Sequence, residues 1–206
     1  PSTYLSIRRP QMIRKLSSIS IILLVPVVSI IGYLGSTDGS WYNFGITGIN
    51  IFNTYPADDF LWAFLYGYYI LAVYEYFFER EKILKTPKKF IRFEVITLTA
   101  SLLFSMFILL RGTPFVIPYF YVYLISIFTI LLPGIIFLKH PRIFKKALYT
   151  ELFFLPLSFL CEYINVKNGA WVFPGDNFIG HVRLLDVSFP FEELLWLLLV
   201  VPAIVA

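Results

Sequence analysis

Apolar residues run in long, nearly unbroken stretches along this chain. They cover about Leu16–Leu34, Phe60–Phe78, Phe93–Leu110, Phe115–Leu138, Leu148–Ile164 and Phe191–Ala206, six in all. The hydrocarbon core of a bilayer is crossed by about 17–25 helical residues, so each stretch is predicted to be a transmembrane helix. The fold class expected is an all-α, polytopic membrane helical bundle.

Charges between the runs are sorted by sign. Of 17 Lys and Arg residues, all but Arg111, Lys167 and Arg183 fall in three regions. These are the leading segment (Arg8, Arg9, Arg14, Lys15), the second-to-third connection (Arg80, Lys82, Lys85, Lys88, Lys89, Arg92) and the fourth-to-fifth (Lys139, Arg142, Lys145, Lys146). Six alternating spans put all three regions on one side, and short Lys/Arg-rich loops stay cytoplasmic. Acids run the other way: Asp38, Asp58, Asp59, Asp176, Asp186, Glu192 and Glu193 lie in or beside the connections Gly35–Asp59 and Asn165–Pro190. Connections of that length usually carry function. The expected location is a cell membrane, multi-pass, with basic loops cytoplasmic and the acid pairs toward the outer side.

Composition agrees, at 58% hydrophobic and 15% charged against about 45–50% and 25% in soluble domains. The net charge of +4 is then a mark of topology, and no nucleic-acid partner is expected. Cys161, the single cysteine, has no internal partner for a bridge. No signal-peptide pattern follows Pro1.

The chain also repeats itself. Pro26, Tyr33, Gly39 and Trp41 match Pro156, Tyr163, Gly169 and Trp171 at an offset of 130, and Tyr55-Pro56-Ala57-Asp58-Asp59-Phe60-Leu61-Trp62 matches Phe189-Pro190-Phe191-Glu192-Glu193-Leu194-Leu195-Trp196 at 134. An even number of spans separates the copies, so they point the same way through the membrane, as in parallel-repeat membrane proteins. Residues 1–78 are assigned to a first repeat, 79–114 to a connecting segment with an extra helix, and 115–206 to a second repeat. The first copy lacks a helix equivalent to Phe115–Leu138, so seven or more spans are expected in an untrimmed chain.

Each acid pair follows a proline, Pro56 or Pro190, at the outer end of a run. A proline and first-turn acids are an ordinary helix start, since the ring presets φ and the dipole favours negative charge. Duplication and Glu162, at the same membrane level as Glu192 and Glu193, tip the balance toward a site. Three carboxyls at one depth beside a low-dielectric phase do not all stay ionised, and one that keeps its proton is a general acid. Adjacent Glu192 and Glu193 diverge by about 100° on a helix, so one is expected to face the bundle and the other the loop or water. Glu75 and Glu151, near the cytoplasmic ends, are expected to snorkel toward Arg80 and Lys146. Glu94, beside Arg92, is read as interfacial. Trp41 and Trp171 are either belt aromatics or site-lining residues.

No G-x-G-x-x-G or G-x-x-x-x-G-K occurs, which argues against a dinucleotide or a P-loop. The two histidines, His140 and His181, lie on opposite sides, so no metal is expected. Forty aromatic residues, 22 Phe, 14 Tyr and 4 Trp, offer π faces that stabilise a cation by about 2 kcal/mol or more when desolvated. Acid, aromatics and membrane together suggest protonation of a lipid-dissolved alkene.

At these residues the sequence resembles the integral-membrane lycopene β-cyclase family, whose signature W-x-F-N-P…G…P-x-E-(E/D) occurs twice with an acid nine residues before the Trp. Glu162, Gly169, Trp171, Phe173, Gly180, Pro190, Glu192 and Glu193 fit it in the second copy; Gly39, Trp41, Gly48, Pro56, Asp58 and Asp59 fit a looser form in the first. The resemblance implies redox-neutral cyclisation of the linear ψ-ends of lycopene, or another linear carotenoid, with no cofactor. Glu192 or Glu193 would be the acid, the other its partner, and Glu162 the base or stabiliser, with Asp58 and Asp59 the counterparts in the first copy. Trp41, Trp171, Phe173, Pro190 and Pro56 would line the substrate. Self-association, as a homo-oligomer, is left open. The competing expectations are a carotenoid hydratase, which traps the same cation with water, and a small transporter or channel.

Overall fold

The computed structural model describes residues 10–20, 25–51, 53–79 and 88–206. Of the charges named above, Arg8, Arg9, Arg80, Lys82 and Lys85 lie outside the described residues. The chain is mostly helical: α1 (Pro10–Ile19), α2 (Val25–Asp38), α3 (Asp58–Tyr74, continued by a π turn to Glu79), α4 (Lys88–Arg111), α5 (Phe120–Lys139), α6 (Pro141–Lys167) and α7 (Phe191–Val205). Two of these, α5 with 20 residues and α6 with 27, are long and apolar enough to cross a membrane.

The boundaries have local causes. Helix α5 starts at Phe120, five residues later than the apolar run suggests, because Tyr119 at its N-cap takes a left-handed conformation (φ 58°) that breaks the entering chain. Within α5, Ile125–Leu131 widens into a π-helical stretch, and the Thr129 hydroxyl donates to the Ile125 carbonyl at 2.8 Å. The fourth-to-fifth connection is no basic loop: His140 alone turns the chain, and Pro141 opens α6 at its first position, where the missing N–H costs nothing. Lys145 and Lys146 are therefore helical.

The outer connections are not loops alone, which corrects the purely α expectation. Three two-stranded antiparallel ladders form: β1 (Tyr42–Asn43) with β4 (Trp171–Val172), β2 (Asn50–Ile51) with β3 (Tyr55–Pro56), and β5 (His181–Leu184) with β6 (Val187–Pro190). In the last, His181 pairs with Pro190 and Leu184 with Val187. Val187, Phe189 and Pro190 are buried and Ser188 is exposed, close to the two-residue period of a half-buried strand.

The chain divides into two compact units. One comprises the residues up to Tyr33 and Gly45–Phe115; the other comprises Leu34–Phe44 and Val116–Ala206. In the first, Met12 and Leu16 of α1 pack against Ala72 of α3. Tyr55 is fully buried there, and burial pushes its hydroxyl up to about 12, opposed by a hydrogen bond from Ser29 and aided by the charge of Asp59. In the second unit, α7 packs against α6 and against the π stretch of α5. That packing closes the end of the unit where the acids lie.

Candidate active site: a buried acid cluster

Glu192 and Glu193 are the second and third residues of α7. Pro190, buried, is the N-cap with extended ψ and not the first helical residue; in α3 the helix starts at Asp58, two residues after Pro56. The expected split, one acid toward the bundle and the other toward the loop or water, takes its loop form: Glu193 meets Tyr121 of α5, Glu192 meets the loop amide of Ile179, and neither reaches water. Glu192 and Glu193 are 1% and 2% exposed, because the β5–β6 hairpin and the loop before it fold over the helix start. Glu192 Oε1 accepts the Ile179 amide at 2.7 Å, and the next helix amide, Phe191, donates to the Gly180 carbonyl at 2.9 Å. Glu193 Oε2 accepts the Tyr121 hydroxyl at 2.5 Å.

Both acids lie in the first turn of α7, where the helix dipole favours them; what a helix start alone does not account for is their burial. Glu162, half-buried on α6, lies within Coulomb range of Glu193, and the Tyr121 hydroxyl lies within range of all three carboxyls. Among the described residues no Lys or Arg forms an ion pair with the three, and uncompensated charge in such surroundings costs several kcal/mol per ion. Glu192 Oε2, Glu162 Oε1 and the Trp171 indole Nε1 are buried and have no hydrogen-bond partner among the described residues, an uncommon state for buried polar atoms.

Trp41 is buried. Its ring lies edge-on to Tyr121 at 4.9 Å and tilted to Phe120 at 6.0 Å, resting flush on Gly35, where a Cβ would enter the indole. Phe173 packs edgewise on Phe178 at 6.5 Å. Pro56, Asp58 and Asp59 belong to the first unit. There Asp58 Oδ2 accepts the Thr47 amide and hydroxyl, both at 3.1 Å, which braces the loop before α3. The first pair is thus half-exposed and tied down where the second is buried.

Glu151 departs from expectation as well. Helix α6 begins at Pro141, so Glu151 lies ten residues in, about 15 Å along the axis. It is 4% exposed, and neither carboxyl oxygen has a partner among the described residues, so it does not reach Lys146.

Two residues that the structure ties to this cluster and its frame escaped the sequence reading. Tyr121 sits in the run Tyr119-Phe120-Tyr121-Val122-Tyr123, where no pattern singles out one tyrosine until the helix start is known. Asp38, counted only as an outer acid, is 7% exposed and joins three elements. Its Oδ2 accepts the Ser40 hydroxyl at 2.7 Å and the Phe120 amide at 3.2 Å, and its Oδ1 accepts the Asn177 side-chain amide at 3.0 Å. A carboxylate on the first amide of α5 suits the helix dipole and fixes the start of the helix that carries Tyr121. Beside it, the Gly175 amide donates to the Gly39 carbonyl at 2.8 Å. At the far tip of the hairpin, exposed Asp186 bridges the Tyr163 hydroxyl at 2.7 Å and Lys167 at 2.9 Å, which holds its carboxyl down at about 2.

The arrangement can hold a proton among carboxyls shielded from water, with aromatic rings beside it. No protein-family model, curated protein or solved structure matches this chain.

Proposed function

We propose that this chain is a membrane-embedded carotenoid cyclase of the lycopene β-cyclase kind, a six-span bundle of two parallel repeats that closes the linear ψ-ends of lycopene into β-ionone rings. The observation that carries the reading is the burial of Glu192 and Glu193, Glu193 bonded to Tyr121, whose ring meets Trp41, with Glu192 Oε2 lacking a partner among the described residues. An acid in that setting protonates the terminal alkene, the next alkene attacks the tertiary cation, and a second carboxyl removes a ring proton. Atoms and oxidation level balance without a cofactor. Aromatic faces stabilise the intermediate cation.

A bilayer setting is supported by the surface. Leu102, Leu103, Leu110 and Leu138 are exposed, Leu138 by 86%, and apolar surface of that extent marks contact with lipid or a partner. Duplication is supported by the β1–β4 register. Tyr42 pairs with Val172, and Asn43 with Trp171, so one of the two pairs joins positions related by the offset of 130. Gly39 and Gly169, also equivalent, both take positive φ after a helix.

The test is expression in a bacterium that accumulates lycopene, followed by chromatography and mass analysis of the pigments. Cyclised product of unchanged mass supports the proposal, and product heavier by one water favours the hydratase. Unchanged lycopene beside well-inserted protein refutes both. Buried Glu151, unpartnered on the same helix as Glu162, favours the transporter reading, for which ion flux in liposomes that survives neutralising Glu192 and Glu193 is the sign.

A further inference from the structure

We propose that Glu192 is the proton donor of this site, Glu193 the acceptor, and Tyr121 the positioning residue that keeps the two roles apart. The assignment rests on the cyclase reading above and extends it from a cluster of acids to named oxygens.

The argument starts from what each oxygen already does. Glu192 Oε1 is taken by the Ile179 amide, and a backbone N–H can only donate. A proton on this carboxyl therefore sits on Oε2, which is buried and has no partner among the described residues. An O–H there competes with no acceptor among the described residues. Glu193 is engaged differently. Its Oε2 receives the Tyr121 O–H, so that oxygen already acts as an acceptor.

Tyr121 is itself held from two directions. Asp38 grips the adjacent Phe120 amide, and Trp41 lies edge-on to the phenol ring. The hydroxyl therefore stays on Glu193 and does not swing to the vacant oxygen of Glu192. Adjacent residues on one helix turn are differentiated by partners from two other elements, the loop carrying Ile179 and the start of α5.

The step balances. The Glu192 Oε2–H bond breaks and a C–H bond forms at the less substituted carbon of the terminal alkene, leaving a tertiary cation on the other. The π pair of the next alkene forms the ring C–C bond. A ring C–H bond then breaks, its electrons become the ring double bond, and its proton goes to Glu193. Return of that proton to Glu192 resets the site with no net change.

The experiment uses the full chain in phosphatidylcholine vesicles loaded with lycopene, in D2O, with turnover, product identity and deuterium in recovered lycopene all measured. Glu192→Gln is expected to lose about 100-fold or more in turnover, the usual share of a general acid, and to leave recovered lycopene free of deuterium. Glu193→Gln, which keeps an acceptor for Tyr121, is expected to lose cyclised product while recovered lycopene gains deuterium from reversible protonation. Tyr121→Phe is expected to cut turnover less and to shift the acid limb of the pH–rate profile, which a purely structural tyrosine would not do. Thermal transitions within a few degrees of the parent show that each variant is folded. Deuterium wash-in retained by Glu192→Gln and lost by Glu193→Gln overturns the assignment. Absence of any cyclised product from the parent chain instead overturns the cyclase reading itself.

Discussion

Replacing Asp38 by alanine tests the framework on which the acid cluster is mounted. The substitution strips the acceptor from the Ser40 hydroxyl, the Phe120 amide and the Asn177 amide in one step. Hydrogen bonds to a charged group contribute about 1.5–3 kcal/mol each, and the donors left behind stay costly because they are buried. The three share one carboxylate, so their effects are not additive, and a loss of about 3–5 kcal/mol is expected. For a chain of this size that corresponds to a fall of roughly 6–20 °C in the thermal midpoint. Thermal unfolding in detergent, followed by tryptophan fluorescence with Trp41 beside the network, is the assay. Asp186→Ala is the control, since its partners are exposed and exposed pairs contribute little; its shift should be clearly smaller. An Asp38→Ala midpoint within about 2 °C of the parent would refute the reasoning.

Four further outcomes are expected. Glu151→Leu should raise the thermal midpoint by a few degrees, because it removes a buried carboxyl whose oxygens are both unpartnered at a cost of about 1–3 kcal/mol; a drop instead would point to a functional partner. Gly35→Val should displace the Trp41 ring and shift its fluorescence, whereas an unchanged spectrum would contradict the packing. Two groups predict opposite pH limits. Asp186, held at about 2 against about 4 when unfolded, contributes its full stabilisation above pH 4 and loses it as pH falls toward 2, so Asp186→Asn should flatten the acid side of the stability curve. Tyr55, at about 12 against about 10 unfolded, keeps its contribution below pH 10 and loses it as pH rises through 12, a fall that Tyr55→Phe should abolish.

Most helix positions were legible because long apolar runs leave little else to form. The third run lies within Lys88–Arg111 and the sixth fills Phe191–Val205 and ends one residue beyond it, whereas the first, Leu16–Leu34, falls on two helices, Pro10–Ile19 and Val25–Asp38. The short strands were not, since two to four residues show no period against a loop background, and Leu185, which turns the β5–β6 hairpin at φ 55°, is no turn residue by type. Among the site residues, Glu162, Glu192 and Glu193 stood out as charges where charge is costly. Tyr121 and Asp38 did not, because a tyrosine or an outer aspartate becomes informative only when the fold supplies its partner. The depth of Glu151 was misjudged for a similar reason: Pro141 starts α6 among the basic residues, which moved the helix end and left the carboxyl well inside.

The central claim is that a carboxyl shielded from water hands its proton to a polyene. Its most direct measurement is the mass of the ring product formed by the purified, vesicle-reconstituted chain in D2O. The account predicts one deuterium retained per ring closed and no added oxygen. A product that carries solvent oxygen, or a ring with no solvent hydrogen in it, would contradict the account.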